Sequence, residues 1–459
     1  MYQIDFKKPV HIYFVGIGGI SMSGLAEVLH KEGFKVSGSD RQESTLTKAL
    51  EAKGIRILYG QKTGNITPDI DCAVFTSAIK PDNPEFIAVQ KLHIPYLSRA
   101  ELLGQMMKNY RTSIAISGTH GKTTTTSMVS EILLRAELDP TLSIGGILKS
   151  IGGNIRVGQS EYFVTEACEY TNSFLSFFPK IALILNIEED HLDFFKDLSD
   201  IRHSFCRFAA LLPEDGCLIL NGSIPRPEEI TESVSCKVVT FGLTPENDYY
   251  ATDICYDEMG CPSFLLHVPS GKTQKVALSV PGEHNVCNAL ASLALADILK
   301  ISGDTAASAL TGFQGTDRRF EYKGTIGGVT IIDDYAHHPT EITATLKAAA
   351  NYPHKKIWCV FQPHTYSRTK TFLKEFAKAL SLADKVVLAD IYASRETDTL
   401  GISSGTLLKE LQNLGCECFY FPSFDEIENF LLQNCINGDL LITMGAGDVQ
   451  KIGEELLGI

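Results

Sequence analysis

Gly118-Thr119-His120-Gly121-Lys122-Thr123-Thr124 has the residue types of a phosphate cradle. It follows an apolar run, "TSIAIS", and leads into a helix-like one, "SMVSEILL". Glycines let backbone N–H groups close on phosphate oxygens, and the start of a helix adds partial positive charge. Lys122 can reach the outer phosphates, while the hydroxyl of Thr123 or Thr124 can be offered to Mg2+. The full P-loop pattern has one more glycine, at a position occupied here by Ile116, so the loop is shortened. A Gly-Lys-Thr turn also arises by chance, but the strand–loop–helix setting favours a nucleoside triphosphate.

A second glycine turn lies about a hundred residues upstream, in "YFVGIGGISMSGLAEVL" from Tyr13. Gly16, Gly18 and Gly19 form the turn, and Ser21 stands where a dinucleotide fingerprint has its third glycine. Asp40 ends the next strand-like run, where a nicotinamide enzyme binds a ribose hydroxyl. Alone, this loop divides between a dinucleotide, another diphosphate ligand and plain strand–helix packing.

Both loops need strands behind them and helices after them. From about residue 9 to 107, "HIYFVGI", "FKVSGSD" and "CAVFTSAI" alternate with helix-like stretches at Met22–Glu32 and Leu46–Lys53. A second unit opens at "RTSIAISGTH" and continues through "EYFVTEAC", "KIALILNI" and "CLILNGS"; a third contains "GVTIIDDY", "KIWCVFQPH", "KVVLADIY" and "LLITMGAGD". The pattern predicts three α/β units in series, at 1–107, 108–319 and 320–459, with sites at strand C-terminal ends and between units. The expected classes are a Rossmann-like N-terminal domain, a P-loop central domain and a Rossmann-like C-terminal domain. The length of 459 residues, 44% apolar and 21% charged, suits such a globular chain. A formal charge of −14 argues against nucleic acid as the main partner. No apolar run is long enough to cross a bilayer, and "MYQIDFKKPVHIYF" lacks the pattern of a signal peptide. The 12 cysteines show no metal-type pairing, which points to reduced thiols in a cytoplasm. Monomer and homodimer both stay open.

The remaining motifs come in a set order: "EACE" at Glu166–Glu169, "NIEEDHLDFF" at Asn186–Phe195, "PGEHNVCNALAS" from Pro281, "RRFE" from Arg318, "DDYAHHPTEI" from Asp333 and "FQPHTYSRTK" from Phe361. With the two loops, this set resembles the Mur ligases that build the peptidoglycan peptide, and the resemblance covers nearly the whole chain. It implies a first domain for a UDP-sugar, a central domain for ATP and a third for an amino acid. The implied reaction is ATP-dependent joining of L-alanine to UDP-N-acetylmuramate through an acyl phosphate. A relative that recycles a murein tripeptide on the same UDP-sugar is the alternative. An NAD-dependent oxidoreductase, from a different class, would leave the central motifs without a use.

By the same resemblance, Gly16, Gly18, Gly19, Ser21, Asp40 and Ser77 belong to the UDP-sugar site. Gly118–Thr124, Asn285, Asn288, Arg319 and Asp334 belong to ATP. Thr123, Glu166 and His191 are implied on the Mg2+ side, and Lys122 opposite the transferred phosphoryl group. Tyr335, His337 and Arg368 are implied for the alanine and the reacting carboxylates; Arg suits a carboxylate because its fork donates two parallel hydrogen bonds. Bland readings stand beside these. Asn285 and Asn288, three apart, share a helix face but could simply cap it. Glu169 reads either as a site carboxylate or as a solvated charge, Arg318 as structural or surface, and His338 as orienting the Pro339 turn. Some relatives have His-Arg-Tyr where this chain has His364-Thr365-Tyr366, so a second arginine is absent.

Overall fold

Short apolar strands buried on both faces need helices above and below, and this chain builds three such sheets. The computed structural model describes residues 2–76, 78–394 and 396–459. The first sheet is all parallel, ordered Arg56–Tyr59, Lys35–Asp40, His11–Val15, Cys72–Phe75, Tyr96–Ser98. Strand order reverses beside His11–Val15, so the glycine loop after Val15 opens at the topological switch point, where open α/β sheets bind ligands.

The central sheet has ten strands. Its parallel middle runs Lys237–Gly242, Cys217–Asn221, Ile181–Ile184, Thr112–Ser117, Tyr162–Ala167 and Thr141–Leu148. Three further strands, Tyr249–Tyr256, Pro262–His267 and Thr273–Ala277, extend one edge, the latter two antiparallel to their neighbours, and Gly153–Arg156 lies antiparallel to Thr141–Leu148 at the other. The alternating α/β reading did not anticipate this extension. Its signals are turn glycines at Gly260 (φ +72°) and Gly271 (φ +77°) between runs in which buried and exposed residues alternate.

The third sheet is ordered Glu321–Ile326, Val329–Asp334, Leu440–Met444, Ile357–Phe361, Lys385–Leu388, Glu417–Tyr420, with only the first pair antiparallel. The helical segment after strand Ile357–Phe361 is divided at Phe372 into Tyr366–Thr371 and Leu373–Leu380. Phe372 packs on the core beneath the third sheet and sets its ring edge-on to His338 at 4.8 Å.

The joins between units differ in character. One apolar cluster runs from Leu103 and Met107 of the first unit into Phe163, Phe174 and Phe205 of the central one. At Gly104 a Cβ would stand 1.9 Å from the Ser176 carbonyl oxygen, so only glycine permits this approach. The join to the third unit is polar. Among the described residues no helix is long and apolar enough to cross a membrane.

Candidate active site

Strand Thr112–Ser117 delivers the P-loop, and helix Lys122–Arg135 leaves it from Gly121, at φ +82°. A Cβ at Gly121 would lie 2.6 Å from Asn288 Oδ1, so the loop is closed to any side chain there. Lys122 Nζ donates to the Thr119 carbonyl at 3.0 Å and pairs with Glu169 Oε2 at 3.1 Å. Burial works against the lysine's charge, but Glu169 outweighs it and raises the pKa. Glu169 itself is only 2% exposed, which removes the solvated-charge reading.

Thr123 Oγ1 donates to Glu166 Oε2 at 3.2 Å, and Glu166 Oε1 accepts the Gly145 N–H at 2.6 Å. Burial pushes the Glu166 carboxyl pKa up, so a cation beside it would be welcome. Two hard oxygen donors side by side fit Mg2+. Thr124 lines a different cavity, which leaves Thr123 as the hydroxyl on the carboxylate side. His191 has φ +52° and stacks on Tyr170 at 4.5 Å. Its Nε2 lies 3.8 Å from Asp190 and 3.9 Å from Glu169, and burial lowers its pKa.

A cavity of about 310 Å³ opens beside the P-loop, with Thr124, Asn285, Asn288, Arg319 and Asp334 in its wall. Asn285 and Asn288 share a face of helix His284–Ile298; the cap position belongs to Glu283. Asn288 Nδ2 donates to Asn285 Oδ1 at 3.0 Å, and Asn285 Nδ2 to the Pro281 carbonyl at 2.8 Å. Asp334 accepts the N–H groups of Ala336 and Phe320 at 2.7 and 2.9 Å, yet burial still pushes its pKa up to about 6. Arg319 lies 5.3 Å over the Tyr335 ring. Arg318, by contrast, is bound to Asp333 at 3.0 Å and to the carbonyls of Gly445 and Gly447, a structural use.

A second chamber, about 600 Å³, draws its wall from all three units: Ile20 from the first, Lys122, Glu166 and His191 from the central, Tyr335 and His337 from the third. His120, Gly121, Arg319 and Glu341 border both cavities. His337 Nδ1 stands 3.0 Å from the Tyr335 carbonyl, which only accepts, so the proton sits on Nδ1 and the neutral ring's lone pair on Nε2. Burial drops the His337 pKa to about 3. Arg368 Nη2 donates to Asp190 at 2.6 Å, and this guanidinium overcomes the effect of burial to hold Asp190 far below the carboxylate range. Thr365, before Arg368, is held at φ +64° and ψ +147°, backbone nearly reserved for glycine.

Central and third units meet along consecutive residues of the "EEDH" run. Glu188 accepts from Thr340 Oγ1 at 2.7 Å, the Glu189 carbonyl from His338 Nε2 at 3.0 Å, and Asp190 from Arg368. His120 Nδ1 joins Glu341 Oε1 at 3.2 Å, and Glu341 Oε2 accepts the His337 N–H at 3.1 Å. Against the pull of burial, Glu188 and Glu341 raise the His120 pKa to about 9. Glu341 was missed in the sequence, although its spacing four residues after His337 at a helix start was a usable signal. His338 does orient the helix start: its Nδ1 accepts the Thr340 N–H.

At the first loop, Gly16 has φ +82°. Asp40 Oδ2 accepts the Gly18 N–H at 2.8 Å and Oδ1 the Arg41 N–H at 2.7 Å, so this carboxylate braces its own loop. Ser21 Oγ accepts from Arg99 at 3.1 Å. Ser77 lies outside the described residues.

Three α/β units in series, a P-loop bordering two cavities and a chamber walled by all three fit an ATP-dependent ligase of modular build. In chain order the units match the Mur ligase family catalytic domain (residues 11–111), the Mur ligase middle domain (116–296) and the Mur ligase glutamate ligase domain (318–447). The chain belongs to the Mur ligase family. It is 60% identical over 457 residues to the UDP-N-acetylmuramate–L-alanine ligase of Agathobacter rectalis, covering 100% of both chains. The enzyme of that name from Lachnospira eligens is 59% identical over 458 residues, again with 100% of both covered. Among solved structures, UDP-N-acetylmuramate-alanine ligase from Thermotoga maritima superposes with a TM-score of 0.80 at 30% identity, over 98% of each chain. A murein peptide ligase from Psychrobacter arcticus gives 0.71 at 26% identity, over 98% of each.

Proposed function

We propose that this chain joins L-alanine to the carboxylate of UDP-N-acetylmuramate, converting ATP to ADP and phosphate, in peptidoglycan precursor synthesis. The observation that carries the reading is the chamber shared by the P-loop, the start of the first-loop helix and His337. Residues 1–107 would hold the UDP-sugar, 108–319 ATP and 320–459 the amino acid. The cytoplasm, where such nucleotides are made, is the proposed compartment.

Asn285, Asn288 and Asp334 would hold the nucleoside, with Gly118–Thr124 and Arg319 around the phosphates. Thr123 and Glu166 would hold Mg2+, with His191 on the same side. When bound, the ion supplies positive charge between phosphate oxygens and the incoming carboxylate. A muramate carboxylate oxygen attacks the γ-phosphorus, the bond to ADP breaks, and Lys122 neutralises the charge on the moving phosphoryl oxygens. The neutral amine of L-alanine then attacks the acyl carbon, the carbon–oxygen bond to phosphate breaks, and the nitrogen's surplus proton leaves with the phosphate as the amide forms.

His337 suits this second step as a hydrogen-bond acceptor. With its pKa at about 3 it is a poor proton sink, but Nε2 can accept from the amine and aim its lone pair. Tyr335 stands beside it, and Arg368 is the group for the alanine carboxylate, sharing its fork with Asp190. The polar seam between the central and third units keeps water from the acyl phosphate.

The test is an ATP-dependent coupling assay on UDP-N-acetylmuramate with L-alanine, glycine, L-serine or the murein tripeptide. L-alanine should give the highest kcat/KM. Preference for the tripeptide would replace this reading with the recycling ligase.

A further inference from the structure

Among the described residues, two groups of side chains bring three metal-capable atoms within 4.8 Å of one another. Asp425, Glu428 and Glu455 are carboxylates alone, two of them exposed, and solvated acids need no ion. His120, Glu188 and His338 lie in the seam between the central and third units and combine two imidazoles with one carboxylate.

Each of these histidines has one nitrogen committed and one in reserve. His120 Nδ1 faces Glu341 Oε1 at 3.2 Å, which places a proton there and, in the neutral ring, the lone pair on Nε2. That Nε2 is buried with no hydrogen-bond partner among the described residues, and it stands 3.6 Å from Glu188 Oε2. His338 Nε2 meets the Glu189 carbonyl at 3.0 Å, which only accepts, so Nδ1 carries the lone pair. The Thr340 N–H engages that lone pair through a long contact, 3.3 Å. Ligand atoms bound to one Zn2+ at about 2.0–2.2 Å stand roughly 3.3–3.6 Å apart in a tetrahedral site. The His120–Glu188 pair already has this spacing, and the third atom needs an inward shift of at most about an ångström. A carboxylate on the far nitrogen, as Glu341 is on His120, fixes the ring and raises the basicity of the ligating nitrogen.

We propose that His120 Nε2, Glu188 and His338 Nδ1 form a site for a transition-metal cation of the Zn2+ class, which latches the third unit onto the central one. Two imidazoles and a carboxylate suit Zn2+ or Co2+, whereas Mg2+ takes oxygen donors. His120 and Glu188 also line the cavity of about 310 Å³, so the fourth ligand position faces it. Against the pull of burial, Glu188 and Glu341 attract a proton to the His120 ring; a cation at Nε2 takes that proton's place and releases it to solvent. The site is separate from the Thr123–Glu166 pair and does not depend on the proposed reaction.

Titration of the full chain with Co2+ and Zn2+, in excess Mg2+ and without nucleotide, tests it. Wild type should bind one Co2+ most tightly, with the visible bands of a nitrogen-and-oxygen site, and Zn2+ should displace it. A near-ultraviolet thiolate band would instead place the ion on some of the 12 cysteines and overturn the proposal. His338→Gln and Glu188→Gln should each weaken binding by about 100-fold or more, and Glu341→Gln by about 10-fold. His191→Ala should keep wild-type affinity; loss there, with His338→Gln unaffected, would move the ion to the Glu166 side and overturn the site. If His338→Gln does not fold, Glu188→Gln decides, because glutamine still accepts from Thr340, and unchanged affinity in that variant would overturn the site. Zn2+ should also slow amide hydrogen exchange across helix Pro339–Ala349 in wild type and not in Glu188→Gln. Equal exchange with and without bound ion would overturn the latch.

Discussion

Lys122 and Glu169 form a buried ion pair at 3.1 Å, in a wall where each would be unfavourable alone. Holding the lysine at the loop is what lets it meet phosphate without first being gathered from solvent. Lys122→Ala should therefore cut ATP-dependent phosphate release by about 10³-fold or more, since it removes charge aimed at the transferred group. UDP binding, measured by calorimetry, should stay within about 2-fold, because substitutions at distant sites that share no partner act independently. Loss of both together would contradict two separate cradles. Lys122, Thr123 and Glu166 were legible as residue types in a strand–loop–helix setting. The state of Glu169 was not, because burial of one carboxylate depends on strands distant in sequence. Asp40 was legible as a first-loop residue, but that its carboxylate turns inward onto Gly18 follows from side-chain direction alone.

The helix Pro339–Ala349 is the element that carries the seam. His338 caps it and reaches the Glu189 carbonyl; Thr340 reaches Glu188; Glu341 holds His120 and the His337 amide. Its start was legible from His-His-Pro-Thr-Glu, since proline suits the first helical turn. That the same few residues dock onto the central unit was not, as docking is a matter of how whole units meet. The His120 contact gives this element a pH signature. Its pKa is raised from 6.5 to about 9, so the protonated form is favoured in the folded, docked state. The stabilisation is fully present below pH 6.5 and is lost as pH rises through about 9. The thermal midpoint should fall between those limits, and His120→Gln should flatten that slope. An equal slope in the variant would remove His120 from the seam.

Across the whole molecule, the joins divide the labour. First and central units share an apolar cluster, while central and third units meet through charges and hydrogen bonds. A polar interface parts and re-forms more readily than an apolar one, so the third unit is the one expected to move during substrate loading and product release. The parallel sheets and their order in the chain were legible from alternating strand and helix patterns; the antiparallel edge of the central sheet was not, because its half-buried strands carry a weaker pattern than the buried ones. The central claim is that two separately held nucleotides meet in one chamber, where the sugar's carboxylate is phosphorylated before the amine attacks. Labelling that carboxylate with oxygen-18 and analysing the released phosphate tests it most directly. The account predicts one labelled oxygen in each phosphate released. Phosphate without the label would contradict it.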